Sequence, residues 1–175
     1  NNDPETDIYA EALSSYYTTK INNRPNARGG VYKASIHSAM QFVWAGEKTP
    51  AGPNGRYSGE ELSKNASPCV GMDKNGVTAL INSALAAKPY SYCESYCIDV
   101  MLHPSAVSGD EGMEIMKSLL FTYMKHGGMC MQFNIFDVNT LKDAQKHPEK
   151  YQNLQVRVCG WNVLWNNLSE KEQNA

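Results

Sequence analysis

Apolar positions along the chain recur in two periods, one near 3.6 and one near 2, and these periods alternate from the N-terminus onward. In "DPETDIYAEALSSYYTTK", Asp3 stands as an N-cap, Pro4 takes the first helical position, and Ile8, Ala12 and Tyr16 share a face, which predicts a helix over about 4–20. The polar turn "INNRPNARGG" ends it, and the β-branched and aromatic run at 31–44, "VYKASIHSAMQFVW", predicts a buried strand with an irregular end. A helix capped by Asn75 is expected over about 77–87, followed by a strand near 93–102 and a turn at "HPSAVSG". Ser108, Asp110 and Glu111 then open a helix running to about His126, with Met113, Met116, Leu120 and Met124 on one face and Gly127 and Gly128 closing it.

The segment "MCMQFNIF" alternates: Met129, Met131, Phe133 and Ile135 point one way and Cys130, Gln132 and Asn134 the other. A short helix at "NTLKDAQK" leads through "HPEKYQNL" to "VRVCGWNVLW" at 156–165, a strand-like run interrupted by Gly160, and "NLSEKEQNA" carries a last helix signal. Strands alternating with helices predict an α/β fold, and no composition shift divides the 175 residues, so a single domain is expected. One segment breaks the alternation. The loop starting at Ala45 is rich in Gly, Pro, Asn and Ser and is too long for a mere connector, so it is expected to be functional or pinned to a neighbouring surface.

Composition narrows the function classes. Hydrophobic content of 42% with 10% aromatics suits a packed core, and a net charge of −2 provides no global field for a phosphate backbone, so no nucleic acid partner is expected. No apolar run reaches the roughly 18 residues of a membrane span, and "NNDPETDIYAEAL" has neither the basic nor the apolar region of a secretory signal. A chain opening on Asn1 rather than methionine is compatible with a processed or excerpted piece. Five cysteines, Cys69, Cys93, Cys97, Cys130 and Cys159, are an odd number set among methionines, which favours reduced thiols and a cytoplasmic location.

Candidate chemistry is sparse. Cys93 and Cys97 lack a second ligand pair, which reads as two packed thiols rather than a metal site, and no metal is expected. His103 is a candidate acid or base but equally a structural hydrogen bonder, and the polar face of Cys130, Gln132 and Asn134 either meets solvent or lines a cavity. No glycine-rich phosphate loop, paired-His metal motif or Gly-x-Ser-x-Gly elbow is present. Read alone, Gly160 breaks a strand to make a turn.

The run Arg157-Val158-Cys159-Gly160-Trp161 resembles the motif of glycyl radical enzymes, Arg-Val-(Ser, Ala or Cys)-Gly-Tyr, which surrounds the glycine that stores the radical. Trp161 replaces the usual tyrosine, and Gln155 stands where Thr or Val is common. The resemblance extends through "PNGRYSGEELSKNASPCVGMDKNGVTALINS", with Asn54 in place of a frequent Asp, through "VMLHPSAV" and "GGMCMQFNIFDVNTLKDAQKHPEKY", to "RVCGWNVLWNNLSEKEQ". These segments are similar, in order and spacing, to the C-terminal portion of the pyruvate formate-lyase and diol-dehydratase-like superfamily, and "HPSA" and "QFN" lie closer to its dehydratase and lyase branch.

The resemblance implies the C-terminal part of an α/β barrel, a half-barrel of strands with helices ending in the glycyl radical loop, with about 1–128 contributing to the barrel and about 129–175 holding the strand, short helix and radical loop. It implies that Gly160 carries the radical, installed by a radical S-adenosylmethionine activase with an iron–sulfur cluster, and that no cofactor is bound by this chain itself. Arg157, Val158, Cys159 and Trp161 are the loop neighbours, and His103, Ser105, Gln132 and Asn134 are the expected cavity-lining residues. The family's thiyl cysteine lies upstream in a separate loop that "CESYC" does not match, and Cys159 occupies a position that tolerates Ser or Ala. A larger partner chain or missing segment is therefore expected to supply that loop and act with Gly160 on a small-molecule substrate, cleaving a C–C, C–O, C–N or C–S bond. The same features fit a subunit of a split enzyme, a fragment, or a spare-part protein, although spare parts are mostly shorter. A non-radical binding protein that kept the fold is the alternative from another class. A bacterial microcompartment is compatible with the cytoplasmic expectation.

Overall fold

Aromatic, β-branched and polar residues intermingle in "SYCIDVML", and this segment forms the central strand of a three-stranded parallel sheet. The computed structural model describes residues 2–69, 71–158 and 161–174, with Val158 described in its backbone only. The strands are β1 (Ser35–Ile36), β2 (Ser95–Leu102) and β3 (Cys130–Ile135), in that spatial order. Ser35 stands opposite Ser95, and β3 runs beside β2 from the Cys97–Cys130 pair to the Leu102–Ile135 pair. Helices α3 (Gly76–Ala86) and α4 (Gly109–Lys125) precede and follow β2, so parallel strands are linked through helices, and the mixed α/β content is as expected.

One face of the sheet carries the main core. Tyr96, Ile98 and Val100 pack with Ala34, Leu80, Ile81, Ala84, Tyr92 and Tyr123, and Ile98 and Tyr123 are wholly buried. Burying each such aliphatic side chain contributes about 1.5–3 kcal/mol, and the polar tips of the tyrosines are satisfied inside. Tyr96 donates to the Ala84 carbonyl at 2.8 Å and Tyr92 shares a 2.8 Å hydrogen bond with Ser14. Burial pushes the Tyr96 and Tyr123 hydroxyls above the usual phenol range, which keeps them neutral donors.

The first helix, α1 (Pro4–Ile21), begins as anticipated, with Asp3 accepting from the Glu5 amide at 3.1 Å, but its packing face differs. Ser14 and Thr18 are buried, whereas Ile8 and Tyr16 are 64% and 65% exposed. The helix docks through small polar residues that bond to Tyr92 and to its own backbone, which leaves the aliphatic and aromatic side opposite them uncovered. In α4 a similar shift occurs. Its inner face runs through Gly112, Met116, Leu119 and Tyr123, while Met113 and Leu120 of the expected stripe are exposed.

The expected strand at 31–44 is two elements, β1 and helix α2 (Gln41–Glu47). Phe42, Val43 and Gly46 are buried at helical spacing, a period that the four consecutive apolar residues Phe42 to Ala45 do not reveal. Gly46 lets the long loop approach, because a Cβ there would collide with the backbone of Glu60 and Glu61. The loop is pinned to this chain: Leu62 donates to the Phe42 carbonyl at 3.1 Å, and Ala66 to the Cys97 carbonyl at 2.9 Å. The Arg56 guanidinium ties it further by donating to the carbonyls of Thr49, Pro50, Tyr57 and Glu60.

The end of the chain forms α5 (Val138–Lys146), the antiparallel strands β4 (Gln155–Val158) and β5 (Trp161–Leu164), and α6 (Glu170–Asn174). The run at 156–165 is thus a hairpin rather than one interrupted strand. Among the described residues, no helix is long and apolar enough to cross a membrane.

Gly112 sits where α4 meets the backbone of Val107, and any Cβ would collide with it. Gly112→Ala is expected to destabilise the protein by about 1–3 kcal/mol, read as a lower urea midpoint with an unchanged slope.

Candidate functional site

The hairpin is placed by a second, smaller core. Val156 and Trp165 close on Ala144 of α5, which is wholly buried, and Phe136, Leu141, Tyr151, Leu154 and Leu168 surround them. Strands β4 and β5 pair from Gln155–Leu164 to Val158–Trp161, so the Cys159–Gly160 dipeptide joins the paired ends. Those two residues lie outside the described set, and so do the turn and the radical loop expected at Gly160. Of the neighbours, Arg157 is exposed and donates to the Asn162 side chain at 3.3 Å, and Trp161 is 73% exposed.

Two hydrogen bonds that converge on Asp143 brace the segment between α5 and β4. The Asp143 carboxylate accepts from the Tyr151 hydroxyl at 2.7 Å and bonds His147 Nδ1 at 3.0 Å. The Tyr151 bond, then the His147 bond, hold the Asp143 carboxyl below the usual carboxylate range, and the same Asp143 contact pushes the Tyr151 hydroxyl up.

The sheet face opposite the main core carries Cys97, Asp99 and Met101 beside Cys130, Gln132 and Asn134. Gln132 and Asn134 are buried, at 9% and 7% exposure, whereas Cys130 at the start of the strand is exposed, so the polar face is interior at those two amides and open at Cys130. The Gln132 amide donates to Asn134 Oδ1 at 3.0 Å and to the Arg157 carbonyl at 3.4 Å. Both amide protons are therefore committed, and the side chain links the sheet to the first strand of the hairpin.

Asp99 is a residue the sequence reading passed over. Its side chain is 9% exposed, accepts from Asn65 Nδ2 at 2.6 Å and faces Lys64 Nζ at 3.5 Å. Its amide donates to Ser67 Oγ at 2.8 Å, and Asn65, at φ 52°, is held by mutual bonds with Ser38. A lone acid within the apolar "CIDVML" was the available signal, because a charge at an inward strand position needs partners.

His103 and Ser105 lie past the end of β2 and are exposed. His103 Nδ1 accepts from the Ser105 amide at 3.2 Å and meets Ser105 Oγ at 2.8 Å, while its Nε2 stands 4.0 Å from Asp137. Asp137 is engaged as the N-cap of α5, accepting from the Asn139 amide at 2.9 Å. This is a turn-capping arrangement. No hydrogen bond among the described residues joins His103 or Ser105 to Gln132 or Asn134, so the four expected lining residues form two separate pairs. Nor do Cys93 and Cys97 pack together: Cys93 is exposed near the Ser91 carbonyl, and Cys97 meets Cys130 across the strands at 3.0 Å. Among the described residues no cluster of His, Cys, Asp or Glu could hold a metal ion.

Residues 62–166 match the family model described as Glycine radical. The chain belongs to the glycine radical family. It is 34% identical over 174 residues to trans-4-hydroxy-L-proline dehydratase of Clostridioides difficile, covering 99% of this chain and 22% of that protein. It is 32% identical to the 4-hydroxyphenylacetate decarboxylase glycyl radical subunit of the same species, covering 96% of this chain and 19% of the relative. The glycerol-bound B12-independent glycerol dehydratase of Clostridium butyricum superposes with a TM-score of 0.93 at 35% identity, over 99% of this chain and 22% of that one. This glycine radical chain thus spans about a fifth of the length of its relatives and corresponds to their C-terminal part.

Gln132→Leu is expected to loosen the hairpin by removing the bridge to Arg157. Amide exchange within 155–164 should accelerate, with a stability loss of about 1–3 kcal/mol by urea titration. For the brace, a depressed native carboxyl pKa places stability above the unfolded value of about 4 and loses it as pH falls through the lower native value. The acid unfolding limb should therefore be shallower in Asp143→Asn, as followed by tryptophan fluorescence.

Proposed function

We propose that this chain is the radical-bearing C-terminal portion of a glycyl radical enzyme of the dehydratase and lyase branch, with Gly160 as the radical site. The single observation that supports it most is the hairpin. Val158 pairs with Trp161 on either side of Cys159 and Gly160, in the Arg-Val-Cys-Gly-Trp run, within a region matching the Glycine radical family.

Glycine suits that role chemically. Loss of one Cα hydrogen atom leaves a planar centre between an electron-donating amide nitrogen and an electron-withdrawing carbonyl, and a side chain would twist that plane. An activase of the radical S-adenosylmethionine class, using its iron–sulfur cluster, removes the hydrogen atom. Gly160 regains a hydrogen atom from the thiol of a cysteine loop lying on a partner chain or upstream segment, and the resulting thiyl abstracts hydrogen from a small-molecule substrate. Among the described neighbours, Arg157 pairs with Asn162 and Val158 with Trp161, so strand pairing fixes the two ends that the dipeptide joins.

The parallel strands joined through helices, with helices packed on one face, suit a segment of an α/β barrel. Uncovered apolar side chains at Ile8, Tyr9, Leu13, Met113 and Phe121 fit surfaces that the remainder of a larger enzyme would cover. In this reading Gln132 is a positioning residue for the radical hairpin, and His103 and Ser105 shape the turn after β2. A reducing, anaerobic cytoplasm suits both the thiols and an oxygen-sensitive radical.

Anaerobic treatment of the intact protein with a matched activase, reductant and S-adenosylmethionine is expected to produce a glycine-centred doublet in the electron paramagnetic resonance spectrum. Exposure to air should then cut the backbone at Gly160. Gly160→Ala should lose both the doublet and the cut, and absence of the doublet with an activase proven on another substrate overturns the reading.

A further inference from the structure

Cys97 and Cys130 are register partners on the adjacent parallel strands β2 and β3, and both project from the polar face of the sheet. Strands so paired lie about 4.8 Å apart, within the Cα separation that a disulfide spans without backbone movement. Their sulfur atoms are 3.0 Å apart, already in contact. The other described thiols are not so placed: Cys93 lies near the Ser91 carbonyl, and Cys69 shares a contact with Ser63 Oγ at 3.1 Å. Cys97 is 7% exposed, whereas Cys130 is open to solvent, so one sulfur of the pair can meet a small oxidant and the other waits behind it.

We propose that Cys97 and Cys130 form a redox modification site, closed to a disulfide by a peroxide. The Cys130 thiolate attacks one oxygen of hydrogen peroxide, the O–O bond breaks, and the departing oxygen leaves as water after protonation, giving a sulfenic acid on Cys130. The Cys97 thiolate then attacks that sulfur, the S–O bond breaks, and a second water leaves as the S–S bond forms. Two thiols are oxidised by one electron each, and one peroxide is reduced to two waters. The closed form ties β2 to β3 on the face that Gln132 connects to the hairpin, and it shields Cys130 from further oxidation. The inference rests on strand register and sulfur contact, and it stands whether or not Gly160 carries a radical.

The intact protein, prepared anaerobically and without activation, is treated with hydrogen peroxide, alkylated in denaturant and mapped by mass spectrometry without reduction. The expected product links the peptide holding Cys97 to the peptide holding Cys130 and is reversed by dithiothreitol. It should persist in Cys93→Ser and vanish in Cys97→Ala, where Cys130 should instead be trapped as the sulfenic acid by dimedone. Since Cys97 is buried and its variant can fail to fold, Cys130→Ser provides the second arm, with Cys97 remaining fully alkylatable after peroxide. A link through Cys93, or Cys130 proceeding to sulfinic acid in the unsubstituted protein with both neighbours still alkylatable, overturns the proposal.

Discussion

The position of the hairpin depends on a few apolar side chains closing over Ala144. Val156 and Trp165 come from opposite ends of the hairpin segment and meet on the same small, wholly buried methyl group of α5. A larger residue there would push the two apart, and a polar one would leave the Trp165 indole in a wet contact. The Trp165 indole nitrogen is buried with no hydrogen-bond partner among the described residues, so the ring is held there by packing. Asp143, bonded to both His147 and Tyr151, then braces the turn between α5 and β4, with Tyr151 also packing on the cluster.

One side chain ties this small core to the larger fold, and the long loop fastens the sheet that it reaches. Gln132 spends one amide proton within the sheet on Asn134 and the other on the Arg157 carbonyl, so a displacement of the hairpin is felt in β3. The long loop fastens the same sheet from the other side, through Ala66 on Cys97 and Asn65 on Asp99. The polar face is therefore satisfied largely from within the chain, and Asp99 is held close to Lys64 rather than left as an isolated buried charge. The opposite face, with Ile98 and Val100, supplies most of the apolar burial.

Much of this arrangement was legible in order and type. Asp3 and Pro4 announced α1, the alternation through "MCMQFNIF" announced β3, and Asn75 marked the start of α3. The segment at 31–44 misled because its short apolar run carries no periodicity of its own, and burial of Gly46 against the loop decided for a helix. In α1 and α4 the apolar stripe was read correctly as a stripe, but a stripe does not say which neighbour it meets. In α1 the small residues Ser14 and Thr18 face inward while Ile8 and Tyr16 face outward, and in α4 Gly112 permits the close approach while Tyr123 carries the buried contact.

By itself the sequence determined the alternation of helices and strands and the family, and it singled out Gly160 within the Arg-Val-Cys-Gly-Trp run. These are local properties, written in residue type and spacing. Only the tertiary structure decided that Gln132 reaches the hairpin, that Asp99 gathers Asn65, Lys64 and Ser67, and that Cys97 faces Cys130 rather than Cys93. Each of those contacts depends on strand register and loop closure across tens of residues, and register is set by the packing of a whole face rather than by the residues that end up touching.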